Sequence, residues 1–469
     1  MQTNSLSTAM IADSPDRARQ DAALTPPFDL LTGLAGDRGI HALFSEESTI
    51  ESWLKTEVAL AEAQADAGDI PREDAAAIKA AAVTANIDRD RLWEESRNVG
   101  YPILPLIRQV DEHLPEGNRG SLHLGATTQD IMDTGLALQL AEATDYLIAR
   151  LTRLCGLLAT AAERHVLTVM PGRTHAMQAV PTTWGAKLAV YLSDFAHHLE
   201  RLRDVRRDVA TVSLYGAVGT SAAYGPHAQA IRADVAARLG LASSDVPWHV
   251  SRVRLAEWGG ACAMLTATAS RLAREVIDLS RSEIGEVSER TGHLRGASST
   301  MPQKTNPITS EVLVGNAIVM GGLAAALTRI VEAGHERAAG EWQAEWFLLP
   351  QIAAFAASSL TAAVDLVDGL QIKEDAMRAN LEVDHGLIMA ESYMIALAAR
   401  VGRERAHDLV YEAAQRARAE DTPLADALQA VLEPHGIPPL DASAPERYVG
   451  DPRVTVDAAL ASWQAARRQ

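Results

Sequence analysis

A seam of residues at alternating spacings of four and three, Leu140, Thr144, Leu147, Leu151, Leu154, Leu158 and Ala161, most restricts what this chain can fold into. Such a repeat keeps one apolar stripe facing a partner along a helix and has no use in a strand. Further long helical patterns are read over 186–205, 253–287 and 308–331. A fifth is read as beginning at Pro350, a residue suited to a first turn, and continuing through Ile352, Phe355, Leu360, Val364 and Val367. A helix of about 30 residues is about 45 Å long, so five of them predict an elongated bundle. No strand-like alternation of useful length stands out. The expected class is all-α.

The rest of the chain divides around that bundle. Residues 1–27 are polar and read as a flexible extension; 28–124 carry short helices punctuated by Gly68, Pro71, Gly100 and Pro102; 125–373 carry the long helices; 374–469 return to short ones, separated by Gly402, Pro423, Pro434 and Gly436. The net charge of −18 leaves no basic surplus to neutralise phosphates, which argues against a nucleic-acid partner. It also sets a condition: an anionic substrate needs positive charge gathered locally against the overall field. Cys155 and Cys262 sit in apolar helical segments and read as small core residues, with no Cys/His spacing for structural zinc. The N-terminal residues lack the apolar run of a signal peptide, and no stretch of 18 uncharged apolar residues is read. The expectation is a cytoplasmic protein without a membrane span. Alanine-rich stripes on several helix faces exceed what one subunit can cover, so a tetramer is expected.

Polar residues that no core requires mark the loops. The most particular runs Gly296-Ala297-Ser298-Ser299-Thr300-Met301-Pro302-Gln303-Lys304-Thr305-Asn306-Pro307, between two long helices, with Glu311 one turn into the second. Another, Pro171-Gly172-Arg173-Thr174-His175-Ala176-Met177-Gln178, lies just before a long helix. A third, His123 to Asp130, places Thr127, Thr128 and Gln129 at the start of a helix, where hydroxyls and backbone N–H groups suit a carboxylate. N-capping alone would also explain either threonine. The fourth is His335-Glu336-Arg337 with Trp342 to Trp346, which an ordinary helix end would also account for.

Together these blocks resemble the fumarase/aspartase superfamily, in the family's order and from about residue 28 onward. The finer resemblance is to the carboxymuconate cycloisomerase and adenylosuccinate lyase branch. It implies a three-domain fold whose five-long-helix bundle joins three others in a twenty-helix core, and a homotetramer whose active sites each draw on three subunits. By the same resemblance Ser298, with Ser299 beside it, is the catalytic base. Lys304 and Asn306 bind the carboxylate that accumulates charge, and Thr127, Thr128 and Gln129 bind a carboxylate too. Thr174, His175 and Gln178 form the opposite side, with Glu311 the partner of His175; Arg97 and Asn98 add contacts from the N-terminal domain. No metal or organic cofactor is implied. Gln303 and Thr305 stand where that branch usually has His and Arg. This departure favours a simple succinate over a nucleotide or tricarboxylate, and nitrosuccinate, releasing nitrite and fumarate, is the specific expectation. A muconate cycloisomerase, another C–N lyase or a silent structural relative are the alternatives.

Overall fold

The computed structural model describes Gly33, residues 36–440 and residues 444–468. The extension read over 1–27 lies outside the described residues. Helices dominate: α1 (Arg38–Leu43), α2 (Glu46–Ala67), α3 (Arg72–Ala81), α4 (Arg89–Val99), α5 (Ile103–Glu112), α6 (Thr128–Arg164), α7 (Trp184–Val209), α8 (Ala228–Leu239), α9 (Val253–Leu279), α10 (Ile308–Leu327), α11 (Glu341–Gly369), α12 (Glu374–Asn380), α13 (Ala390–Val401), α14 (Arg403–Glu420), α15 (Leu424–Leu432) and α16 (Pro452–Arg468). Beside short 3-10 turns there are two small antiparallel sheets, β1 (Val169–Thr174) with β2 (Met177–Thr183), and β3 (Val287–Ser288) with β4 (Gln371–Ile372).

The expected long helices form, with four differences. α9 ends at Leu279, not 287, and Val287 instead pairs with Ile372 across the β3–β4 sheet. α10 ends at Leu327 and gives way to a 3-10 turn over Thr328–Glu332. α11 starts at Glu341, so Pro350 lies well inside it rather than in its first turn. A proline in a helix interior forfeits one backbone hydrogen bond, and the continuous apolar pattern around it keeps the helix intact. Finally, the block around His175 is a β-hairpin, not a loop, because Val169, Val180, Thr182 and Thr183 favour extended backbone.

The chain folds as two compact units, each assembled from three segments. Of the described residues, one holds those up to 143 with 207–256 and 325–354; the other holds 144–206, 257–324 and those from 355 onward. In the first, Ile50, Leu54, Ile78, Ile103, Leu106 and Val110 form one core, and Leu60, Val212, Leu214, Ile231 and Val235 another. Glycine caps stop α2 and α4, with Gly68 and Gly100 both in the left-handed region. In the second unit Leu147, Leu151, Leu154 and Leu158 of the seam are fully buried, as are Cys155 and Cys262. Gly185 lets α7 approach α6: an added methyl would lie 2.5 Å from the Ala162 carbonyl oxygen. Leu397, Leu409, Leu424 and Leu428 pack the C-terminal short helices of this unit.

Two helices are long and apolar enough to cross a membrane by length and composition, against the expectation of none. The stretch from Ile308 to Glu332 is the more exposed, only 22% of its apolar window being buried, and Ile318 and Val319 on it face outward. It is not uniformly apolar: the Asn316 amide donates to Ser358 Oγ and Ser359 Oγ of α11 at 3.0 and 3.3 Å. Uncovered apolar area of this kind fits the reading that one chain alone leaves helix faces unpartnered.

Candidate active site

The serine loop is closed at its base by backbone. Asn306 N–H donates to the Gly296 carbonyl at 2.8 Å, and Ala297 bridges Thr305. Gly296 has φ +68°, and an added Cβ there would collide with the Asn306 carbonyl oxygen. Inside the loop, Ser298 Oγ accepts from the backbone N–H of Met301 at 3.1 Å and of Thr300 at 3.3 Å. Two donors aimed at a hydroxyl oxygen stabilise negative charge on it and so favour its alkoxide. Lys304 is exposed on the same loop, and its backbone N–H donates to Met301 at 3.1 Å. The α10 N-terminus that follows is already occupied: Glu289 accepts from the N–H groups of Thr309 and Ser310 and from the Ser310 hydroxyl, at 3.1, 2.8 and 2.8 Å. Glu289 was not singled out from the sequence, since nothing local marks a residue about twenty positions upstream as a helix cap.

Gly296→Ala is therefore expected to lower turnover at least about tenfold. The left-handed backbone penalises any side chain there by about 1–2 kcal/mol, and the collision opens the loop base. Steady-state kinetics of that variant beside wild type would check it, and unchanged turnover would mean the loop base is not needed for function.

The hairpin presents His175 and Ala176 as its two-residue turn, with φ +51° and +65°. A turn with both residues left-handed ordinarily takes Asn-Gly, so a histidine and an alanine here hold local strain of the kind that concentrates at functional sites. Thr174 and His175 are exposed. The neighbours are committed to structure. Arg173 makes two hydrogen bonds to the buried Glu286 carboxylate, at 3.0 and 2.6 Å, and the Gln178 amide donates to the Asn380 carbonyl at 2.9 Å. Glu311 is exposed in the first turn of α10. Among the described residues no hydrogen bond or ion pair joins His175, Glu311 and Lys304 to one another.

In the other unit, Thr127 immediately precedes α6; its N–H donates to Asp130 Oδ2 at 3.1 Å and its carbonyl accepts from the Asp130 N–H at 2.9 Å. Asp130 is fully buried and does more than this. Its Oδ1 accepts from Tyr215 N–H at 2.9 Å and lies 2.8 Å from His249 Nε2; its Oδ2 accepts from Gly216 N–H at 2.9 Å and the Tyr224 hydroxyl at 3.2 Å. Burial and the Asp130 charge push the Tyr224 hydroxyl far up, so it stays a donor. The Gln129 amide is likewise turned inward, donating to the His249 carbonyl at 2.9 Å and to Asp133 at 3.1 Å. Arg337 reaches the exposed side of the block, its guanidinium donating to Thr127 Oγ1 at 3.1 Å and to the Ala217 carbonyl at 2.9 Å. It brings a cation to the threonines, and only the fourth loop had marked it. Arg97 and Asn98 are exposed at the end of α4 and make none of the hydrogen bonds of Thr127–Gln129.

A helical scaffold that presents a donor-supported serine on a loop between two long helices defines the class of site, and comparison with known proteins gives the family. The family profile described as "Lyase" matches residues 39–322, and "Adenylosuccinate lyase C-terminus" matches 386–457. The chain is 38% identical to a 3-carboxy-cis,cis-muconate cycloisomerase of Pseudomonas aeruginosa, over 91% of this chain and 94% of that one. It is 34% identical to an N-acetyl-S-(2-succino)cysteine lyase of Enterococcus italicus, with the same coverage of each. Among solved structures it is similar to the 3-carboxy-cis,cis-muconate lactonizing enzyme from Pseudomonas putida, with TM-score 0.86 and 33% identity over 94% of this chain and all of that one. It is also similar to a fumarate lyase from Mesorhizobium sp. BNC1, with TM-score 0.84 and 36% identity over 91% of this chain and 98% of that one. The chain belongs to this lyase family of the fumarase/aspartase superfamily and is a lyase.

Proposed function

We propose that the protein eliminates a substituent from a substituted succinate by removing a proton from the neighbouring carbon, with Ser298 as the base. That proton is weakly acidic because the carbanion forms beside a carboxylate already charged. The intermediate carries extra charge on that carboxyl group, and Lys304 with Asn306 holds it. The observation that carries this reading is the pair of backbone N–H groups on Ser298 Oγ. Thr127 and Thr128, with Arg337 donating to Thr127, hold the other carboxylate, which meets the condition that a protein of charge −18 must gather positive charge locally. The blocks are contributed to each site by different copies in a tetramer. His175, oriented by Glu311 of another copy, binds the substrate or protonates the leaving group.

Two substrates are favoured by separate observations. The names of several relatives between 33% and 38% identical favour 3-carboxy-cis,cis-muconate, whose lactone re-opens by the same elimination. Gln303 and Thr305, at positions usually His and Arg in that branch, favour an open-chain succinate, and the relatives named as 2-succinocysteine lyases fit that chemistry. Within it nitrosuccinate is the specific candidate, since nitrite departs as a stable anion. Incubation with nitrosuccinate, an S-succinylated cysteine and carboxymuconate, following fumarate or lactone by ultraviolet absorbance, separates them. No turnover of any of the three would remove the reading. Lys304→Ala is expected to raise KM at least about tenfold, as the loss of a charge-assisted hydrogen bond implies. Kinetics equal to wild type would take Lys304 out of the site.

A further inference from the structure

We propose that a second small-molecule site lies in the first unit: a pocket walled by aromatic rings that binds a small organic monocation, an alkyl- or arylammonium ion. The cavity is about 320 Å³, within the range of ligand sites. Phe44, Trp53, Trp342 and Trp346 line it, with the Asp133 and Glu345 carboxylates among the lining groups. None of the lining residues is a lysine, arginine or histidine.

Its walls are fixed. Trp342 and Trp346 meet edge-on at 5.3 Å, and Tyr101 stacks on Trp342 at 5.5 Å. Trp342 Nε1 donates to Asp133 Oδ1 at 3.3 Å. Trp53 lies against Gly135, where an added Cβ would come within 2.6 Å of the Trp53 ring. The Trp346 indole N–H is shielded from solvent and has no hydrogen-bond partner.

Its charge is unbalanced. Asp133 and Glu345, each 1% exposed, share one buried guanidinium, that of Arg252. Arg252 donates to Asp133 at 2.8 and 3.1 Å and to Glu345 Oε1 at 2.7 Å, with a second bond to Glu345 Oε2. Two carboxylates against one cation leave one negative charge in the interior, where an unpaired charge is costly. Burial pushes the Glu345 carboxyl up to about 7, with Arg252 pulling the other way, so the surplus is fully present only above that pH, and below it a proton offsets the charge. Aromatic faces beside a buried negative charge attract an organic cation and not an anion. The site is independent of the proposed elimination, because its occupancy is read without turnover.

The test is a titration of the full chain with phenethylammonium chloride and, separately, with 2-phenylethanol, its neutral counterpart, at constant ionic strength. Tryptophan fluorescence and calorimetry report binding. Saturable binding of the ammonium ion, about tenfold tighter than the alcohol, is expected. Met132→Trp, which fills the pocket from α6, should abolish both, and Glu345→Gln should bring the ratio to about one. Should Glu345→Gln fail to fold, Met132→Trp decides. Absence of saturation, equal affinities in wild type, or undiminished binding in Met132→Trp would overturn the proposal.

Discussion

Ser298→Ala is expected to lower kcat at least about a thousandfold while leaving the fold and its assembly unchanged. General-base catalysis contributes about 10²–10⁴-fold, and the nearest other hydroxyl, Thr300 Oγ1 at 3.4 Å from Ser298 Oγ, does not occupy the position that the two backbone donors hold for the serine oxygen. The donors to Ser298 Oγ are the backbone N–H groups of Thr300 and Met301, which hold the oxygen but cannot themselves accept a proton. The side chain is only half-buried on a loop, so its loss creates no core cavity. Circular dichroism and sedimentation should match wild type while product release disappears. Retention of full activity would remove the serine mechanism; loss of assembly would mean that the loop serves structure instead.

Asp130→Ala is expected to do the opposite, lowering stability by about 3–5 kcal/mol, the cost of removing one partner of a buried charged network. Its carboxylate satisfies the N–H groups of Thr127, Tyr215 and Gly216 and the Tyr224 hydroxyl, and also faces His249. Without it those groups stay buried with nothing to accept from them. Set against total stabilities of about 5–15 kcal/mol for a domain, the loss is large enough to deplete folded protein. It also frees the 215–217 loop against which Arg337 is held. Urea unfolding followed by circular dichroism checks it: a midpoint equal to that of wild type would mean that water replaces the carboxylate.

The contrast between these two residues shows what was legible in the sequence. Ser298 announces itself because a run of small, hydroxylated and charged residues between long apolar patterns has no packing purpose. Asp130 does not, because an aspartate three positions after a threonine reads as a helix cap. Its partners at 215, 216, 224 and 249 are brought up by other segments of the same unit. Glu345 lies in the fourth polar block, which an ordinary helix end would also account for; it is buried against Arg252, inside a helix that begins at Glu341 and not at Pro350. Likewise Gln129 and Gln178 carry the amides expected to meet substrate, yet each directs its nitrogen to a backbone carbonyl of the protein.

Spacing along the chain determined the long helices, the order of the loop blocks and the chemistry their residues are suited to, because helix periodicity and local turn propensity are properties of neighbours in sequence. Tertiary structure alone decided which polar groups are consumed in holding the scaffold and that a carboxylate pair with one arginine sits beside four aromatic rings. Those outcomes depend on which segments meet after folding, and no local pattern encodes the distance between residues a hundred or more positions apart.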